Sequence, residues 1–410
     1  MPAEKHDLIV FGATSFVGQI LCRYLLEQFG TRGRLKWAVA GRSEHKLRAL
    51  RKTLGSKAAR LPIVVADAAD EDALRAMCAH TRVVASTVGP YALYGEPLVR
   101  VCAETGTDYC DLTGEVHWIH RMIDTYERPA KKSGAHVVHC CGFDSIPSDL
   151  GVYFLQQKSR EKFGRPCSRV KMRVRGIKGG FSGGTAASIV NVVKDVRAQP
   201  ALRKELADPY SLCPPSKTQR PKQPHVAAAK YDDDFDSWIA PFVMGAINTR
   251  IVQRTNSLSR EAYGTDFRYD EAVLTGRGAK GRVAATGMTL GLGGFVLASA
   301  ITPSRLVLEK LVLPGPGEGP SPDAQKNGFF DLRFLGETSD GERIRTRVTG
   351  DRDPGYGSTA KMLGQAAACL ALDVPAKKKP GGFWTPATLL GEQLIERLEA
   401  HSGLTFEVLD

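Results

Sequence analysis

The residues best suited to chemistry open the chain. Asp7–Phe11 is a mostly apolar run that ends at Gly12, and Gly18 follows six positions later. Thr14, Ser15, Phe16 and Val17 stand between them, and Ile20, Leu21, Tyr24, Leu25 and Phe29 then recur at helical spacing. A buried strand, a tight glycine turn and a helix start make an anion site, because unpaired N–H groups and the positive helix end face one point. Gly12 permits the turn, and Gly18 lets the helix lie close on the sheet. Ser15 replaces the middle glycine of the usual dinucleotide fingerprint. The second strand, Leu35–Ala40, runs into Gly41-Arg42-Ser43. An acid here would accept from a ribose 2′-OH, whereas a guanidinium and a hydroxyl suit a 2′-phosphate. NADP(H) is therefore expected over NAD.

Hydride chemistry also needs a group that gives or takes a proton beside the nicotinamide. Asp67 ends the third strand-like run, and Thr87, Val88, Gly89 and Pro90 end the fourth; all are expected to line the cofactor. Tyr91 and Tyr94 follow the fourth run, Glu115 the fifth and Asp144 the sixth. A tyrosine can steady a developing oxyanion, and a carboxyl group with a raised pKa can donate a proton. Tyr91, Glu115 and Asp144 are the catalytic candidates. Two of them have a plainer reading. Asp144-Ser145-Ile146-Pro147-Ser148 also reads as a helix cap, and Glu115 as a structural partner. No Ser/His/Asp set, Tyr-x-x-x-Lys dyad or metal-ligand spacing is present, so no metal is expected.

These residues need a scaffold. Strand-like runs at Asp7–Phe11, Leu35–Ala40, Leu61–Ala66, Val83–Val88, Asp108–Leu112 and Ala135–Cys140 alternate with helical patterns at Glu44–Leu54, Asp70–Ala79, Glu96–Glu104 and Val116–Ser133. That alternation implies βαβ units and a Rossmann-type, doubly wound parallel sheet over residues 1–150. Beyond it, runs at Ser168–Arg175, Asn248–Thr255, Phe267–Leu274, Phe329–Leu335 and Arg343–Thr349 alternate in polarity. They imply a second, α+β domain over 151–355, with a mainly antiparallel sheet and a wet face carrying Lys171, Arg173 and Arg175. Helical patterns at Ala360–Leu372 and Pro386–Glu399 make a C-terminal segment, 356–410, expected to return to the first domain. Gly179–Thr185 reads as either a second anion-binding turn or a plain strand-to-helix connection.

Composition supports an enzyme of ordinary globular type. The 410 residues are 42% hydrophobic and 24% charged, which suits two folded domains. Nine cysteines without a C-x-x-C pair fit a reducing compartment, and no secretory signal is visible, so the expected location is cytoplasmic. The formal charge of +12 favours anionic partners, but no nucleic-acid motif accompanies it, so none is expected.

Taken together, the motifs resemble the saccharopine dehydrogenase-like oxidoreductases, including trans-acting enoyl reductases of polyketide-lipid assembly. The resemblance rests on Gly12–Gly18, Ala40–Ser43, Thr87–Tyr91 with Tyr94–Pro97, Gly106–Glu115, Cys141–Asp149, Gly317–Ser321, Tyr356–Thr359 and Gly382–Pro386. It implies an NADPH-dependent reductase acting on an enoyl or carbonyl group of a hydrophobic or carrier-bound substrate. Two other readings stay open: a lipid-associated nucleotide-binding protein with little catalysis, and, more weakly, a saccharopine-type amino-acid dehydrogenase.

One segment fits none of this. Val283–Ser304 carries no charge over 22 residues, with Arg277, Lys280 and Arg282 before it and Arg305 and Lys310 after. As a helix it would reach ~33 Å. Gly287, Gly291, Gly293 and Gly294 weaken its helicity. Peripheral contact with a membrane or lipid is preferred; a buried or homodimer-forming element and a full span are the alternatives.

Overall fold

The computed structural model describes residues 5–179, 183–216, 219–301, 319–375 and 379–409. The chain divides into two units. The first comprises residues to Asp144, with Gly319 and Gly355–Gly403; the second comprises Ser145–Pro354 apart from the short 317–319 stretch, with Leu404 onward.

The first unit is built on seven parallel strands: β1 (His6–Phe11), β2 (Trp37–Gly41), β3 (Ile63–Val65), β4 (Thr81–Ser86), β5 (Asp108–Asp111), β6 (His136–Val138) and β13 (Gly382–Trp384). Their order is β13-β6-β5-β4-β1-β2-β3, so β1 lies inside, with Leu8 level with Trp37 on one side and Val83 on the other. The helices between them are α1 (Phe16–Phe29), α2 (Glu44–Thr53), α3 (Glu71–Ala79), α4 (Tyr91–Tyr94), α5 (Glu96–Thr105) and α6 (Val116–Ser133). Leu8, Ile9, Val10, Val83, Val84 and Val137 are fully buried, as parallel strands covered on both faces must be. β13 follows no apolar run in sequence; it docks on β6 with Phe383 level with Val137.

The second unit contains α7 (Ile146–Phe163), β7 (Arg169–Lys178), α8 (Gly183–Ala198), α9 (Ala201–Ala207), β8 (Lys230–Asp232), β9 (Ser237–Pro241), α10 (Gly245–Leu258), β10 (Arg268–Gly276), α11 (Gly278–Ala300), α12 (Pro322–Lys326), β11 (Phe329–Glu337), β12 (Arg343–Gly350) and β14 (Leu404–Leu409). Its sheet runs β14-β12-β11-β7-β10-β9-β8. Only β7 and β10 pair in parallel. Helix α7 covers one face closely: a Cβ on Gly151 would meet the Phe334 ring at 2.4 Å.

Three expectations are corrected here. The C-terminal segment returns to the first unit only as far as Gly403, because β14 pairs with β12 in the second. Asn248–Thr255 is not a strand but the middle of α10. Its polar side chains are buried, because they bind inside the unit: the Asn248 amide donates to Glu271 at 2.9 Å and to Ser148 at 3.0 Å. The polar face of β7 is not uniformly wet either. Arg173 is 1% exposed and is held by Asp232 at 2.8 Å and Asp270 at 2.7 Å. A buried cation needs such carboxylates, and two surround it.

The C-terminal part of the first unit adds α13 (Thr359–Leu372), α14 (Pro386–Leu389) and α15 (Gly391–Ser402). Helix α13 is rich in alanine and lies close on α1: a Cβ on Gly364 would come within 2.9 Å of the Tyr24 ring. The Tyr24 hydroxyl accepts from Gln365 at 2.7 Å and donates to the His401 carbonyl at 3.1 Å.

Candidate active site

At the carboxyl end of β1 the backbone turns at Gly12 with φ +84°, a conformation side chains resist. A Cβ there would also strike Val88 Cγ2 at 2.6 Å and Thr87 Oγ1 at 2.9 Å. Gly18 is constrained on its other side, since a Cβ would lie 2.3 Å from the Gly12 carbonyl oxygen. Ser15 is the N-cap of α1; its Oγ accepts from the Gly18 N–H at 2.9 Å and pairs with Thr87 Oγ1 at 3.0 Å. Thr87 Oγ1 donates to the Gly12 carbonyl at 2.9 Å, tying the end of β4 to the turn. The serine in place of glycine therefore caps the helix and braces the loop. The N–H groups of Phe16 and Val17, in the first turn of α1, have no intrahelical acceptor. Their partial positive charge can receive a pyrophosphate.

Arg42 stands exposed just after β2, and Ser43 caps α2 by accepting from the Lys46 N–H at 3.4 Å. Among the described residues no carboxylate pairs with Arg42. Asp67 is half-buried and turns the chain into α3, accepting from the Ala69 N–H at 3.0 Å. The guanidinium can thus meet a 2′-phosphate at the position where an acid would repel it. The residues present fit NADP(H).

The three proton-donor candidates fall into different situations. Tyr91 is buried, donating to the Ser86 carbonyl at 3.0 Å and accepting from the Leu112 N–H at 3.2 Å. Burial, with the charges of Asp111, Asp144 and Glu115, pushes its phenol far up. Glu115 is also buried, and its two oxygens accept from the Tyr91 and Ala92 N–H groups at 3.0 and 2.8 Å. It neutralises the start of α4, a structural task. Asp144 differs from both. The N-cap of α7 is Ser145, whose hydroxyl donates instead to Asn248 at 3.0 Å, and no side chain caps the helix. The Asp144 carboxyl sits where Gly114 and Gly142 leave room: a Cβ on Gly142 would meet its Oδ2 at 2.9 Å. The turn is pinned from α13, where Thr359 Oγ1 accepts the Phe143 N–H at 3.0 Å. Burial pushes the Asp144 carboxyl up to about 7, its own N–H opposing and the Asp111 charge adding. A carboxyl near 7 is protonated for much of the neutral range and can donate.

Beneath Asp144 lies a cluster not singled out from the sequence, although Asp111 falls within the Gly106–Glu115 motif. Asp111 is fully buried and accepts from His139 Nδ1 at 2.7 Å, the Tyr109 hydroxyl at 3.0 Å and the N–H groups of Thr113 and Cys140 at 3.1 and 3.2 Å. Cys140 adopts φ +62°, unusual for a residue with a side chain, at the turn leading to Asp144. The available signal was register. Cys110 pairs with Val138, so the next residues on the two strands, Asp111 and His139, fall side by side.

Residues 8–138 match the saccharopine dehydrogenase NADP binding domain. A protein of Mycobacterium tuberculosis (strain ATCC 25618 / H37Rv), provisionally named a trans-acting enoyl reductase, is 40% identical over 415 residues, covering 97% of this chain and 96% of its own. The chain belongs to the saccharopine dehydrogenase-like family. A trans-acting enoyl reductase of Mycobacterium bovis (strain BCG / Pasteur 1173P2) is 37% identical over 418 residues, with the same coverage. Apo saccharopine dehydrogenase (L-Glu forming) from Saccharomyces cerevisiae superposes with TM-score 0.54 at 13% identity, over 99% of this chain and 100% of that one, a likeness of fold. This saccharopine dehydrogenase-like protein is an NADP-dependent oxidoreductase, and NADP(H) is its cofactor.

Proposed function

We propose that the chain reduces an enoyl or carbonyl group of a hydrophobic or carrier-bound acyl substrate, with Asp144 as the proton donor. The observation that carries the reading is a half-buried carboxyl near pH 7, not used as a cap, in the turn after β6 of the NADP-binding unit. Gly12 and Thr14–Gly18 hold the pyrophosphate in this reading, Gly41-Arg42-Ser43 the 2′-phosphate, Asp67 the adenine side and Thr87–Pro90 the nicotinamide side. Bound NADPH supplies the hydride. Asp144 gives its proton to the substrate atom on which negative charge develops, becomes a carboxylate and regains a proton from water. Tyr91 and Glu115 hold the loop around it. The names of the full-length relatives support an enoyl substrate.

A second reading, a nucleotide-binding protein at a lipid surface with little turnover, draws on the exposed helix α11. One panel separates the two: NADPH oxidation with 2-enoyl and 3-keto acyl thioesters, and NADP+ reduction with saccharopine. Turnover of an acyl thioester is expected. Turnover of saccharopine alone, or of nothing on the panel, would overturn the proposal.

A further inference from the structure

Helix α11 is the largest anomaly on the molecule. It is 23 residues long, ~34 Å at 1.5 Å per residue, and contains neither aspartate nor glutamate. Its apolar side chains face outward: Val283 is 72% exposed, Leu290 70% and Leu297 63%. Those three recur every seven residues, so they form one stripe along the whole helix. Met288 and Val296, 45% and 47% exposed, lie on the other side of the helix. Gly281, Ala285 and Ser299 are buried and Thr289, Leu292 and Phe295 half-buried, which puts a second stripe along the protein. The buried stripe decides the geometry. A spanning helix would need lipid on every side, whereas this one is anchored on its unit at its first turns and at Ser299.

The amino-terminal end of that face carries the features of a lipid interface; Arg305 and Lys310, beyond the other end, lie outside the described residues. Arg277, Lys280 and Arg282 are exposed at the amino-terminal end; Arg277 pairs with Asp236 of the acidic Asp232–Asp236 turn, to which the Tyr231 hydroxyl also donates. The Arg282 guanidinium lies 5.4 Å from the Trp238 ring centre, and Trp238 in turn packs edge-on against Tyr231 at 5.8 Å. Tyr231 remains 39% exposed. An apolar face with cations and amphipathic aromatic rings at its edge suits an anionic headgroup layer over acyl chains.

We propose that α11 is a membrane-docking helix that lies in the plane of an anionic lipid surface. Val283, Leu290 and Leu297 enter the acyl boundary, while Lys280 and Arg282 meet the headgroups. The full chain should float with vesicles of phosphatidylcholine and phosphatidylserine, and less with phosphatidylcholine alone. The Leu290→Glu/Leu297→Glu pair should lower that partition by about tenfold or more. Its melting temperature should stay unchanged, because both side chains already face solvent. Lys280→Glu should weaken binding to the anionic vesicles alone. Failure of the wild type to float with either vesicle would overturn the proposal. A dimer that the glutamate pair dissociates, without vesicle binding, would assign the face to a second copy of the chain instead.

Discussion

Gly18→Ala tests the cofactor turn with a single methyl group. The added Cβ would sit 2.3 Å from the Gly12 carbonyl oxygen, 2.9 Å from Ser15 Oγ and 3.0 Å from the Ala13 carbonyl carbon. Two of those atoms are backbone, so the start of α1 must retreat by about an ångström. Overpacking of this kind costs about 1–3 kcal/mol. The retreat also strains the Ser15 cap, worth about 1 kcal/mol, so the total loss of stability is roughly 2–4 kcal/mol. Affinity should fall as well, because the Phe16 and Val17 N–H groups move with the helix. Losing one charge-assisted hydrogen bond, about 1.5–3 kcal/mol, weakens NADPH binding by roughly tenfold to 100-fold. Gly30→Ala at the other end of α1 is the control. Gly30 has φ +63° and nothing within 4 Å of a Cβ, so the substitution strains the backbone and leaves the turn alone. Calorimetric titration with NADPH and thermal melting of both variants make the comparison. If Gly18→Ala loses stability but binds NADPH normally, the start of α1 is not the phosphate site. If Gly30→Ala loses affinity equally, the loss reports stability alone.

Arg42→Ala should weaken NADPH roughly tenfold to 100-fold and leave NADH nearly unchanged, read by the same titration. Equal affinity of the wild type for the two nucleotides would remove Arg42 from the site. His136 provides a stability test at the opposite end of the strands. Burial pushes its imidazole down, but the Asp108 carboxylate 2.9 Å away more than reverses this, leaving the pKa above 6.5. A group raised on folding stabilises most below its unfolded pKa, and that stability is lost as pH rises through the folded value. Denaturation midpoints should therefore fall above about pH 6.5 in the wild type, and His136→Gln should flatten the fall. An unchanged slope in the variant would refute the pairing.

Much of the first unit was legible because its sequence is locally consistent. β1 to β4 each carry an apolar run, and Ser15, Ser43 and Asp70 cap the helices that follow β1, β2 and β3. β13 was not legible, because Gly382–Trp384 has three residues and exists only by pairing with His136–Val138. α10 was misread for a different reason. Ile251 and Val252 look like a strand core, and the polar residues around them look exposed. Arg250 instead donates to the Ala246 and Leu206 carbonyls, and Arg254 to that of Leu212, satisfactions that a hydropathy pattern cannot show. At the site, type and position singled out Asp144, yet Ser145 does not cap α7 because Asn248, far along the chain, takes its hydroxyl. Asp111 and His139 were hidden in the same way, as ordinary residues until register set them side by side.

The most direct test of the central claim is the pH dependence of NADPH oxidation with a 2-enoyl thioester, in the wild type and in Asp144→Asn. The protonated carboxyl is the active form, so the wild-type rate should be level in acid and fall as pH rises through about 7. Asp144→Asn should be slower by about 100-fold or more and lack that fall, with NADPH affinity preserved. A second readout shows that the variant remains folded. A carboxyl whose pKa is raised by folding destabilises the native state above its unfolded value, so Asn should raise the melting temperature in alkaline solution. A variant that keeps both the wild-type rate and the fall near 7 would contradict the account.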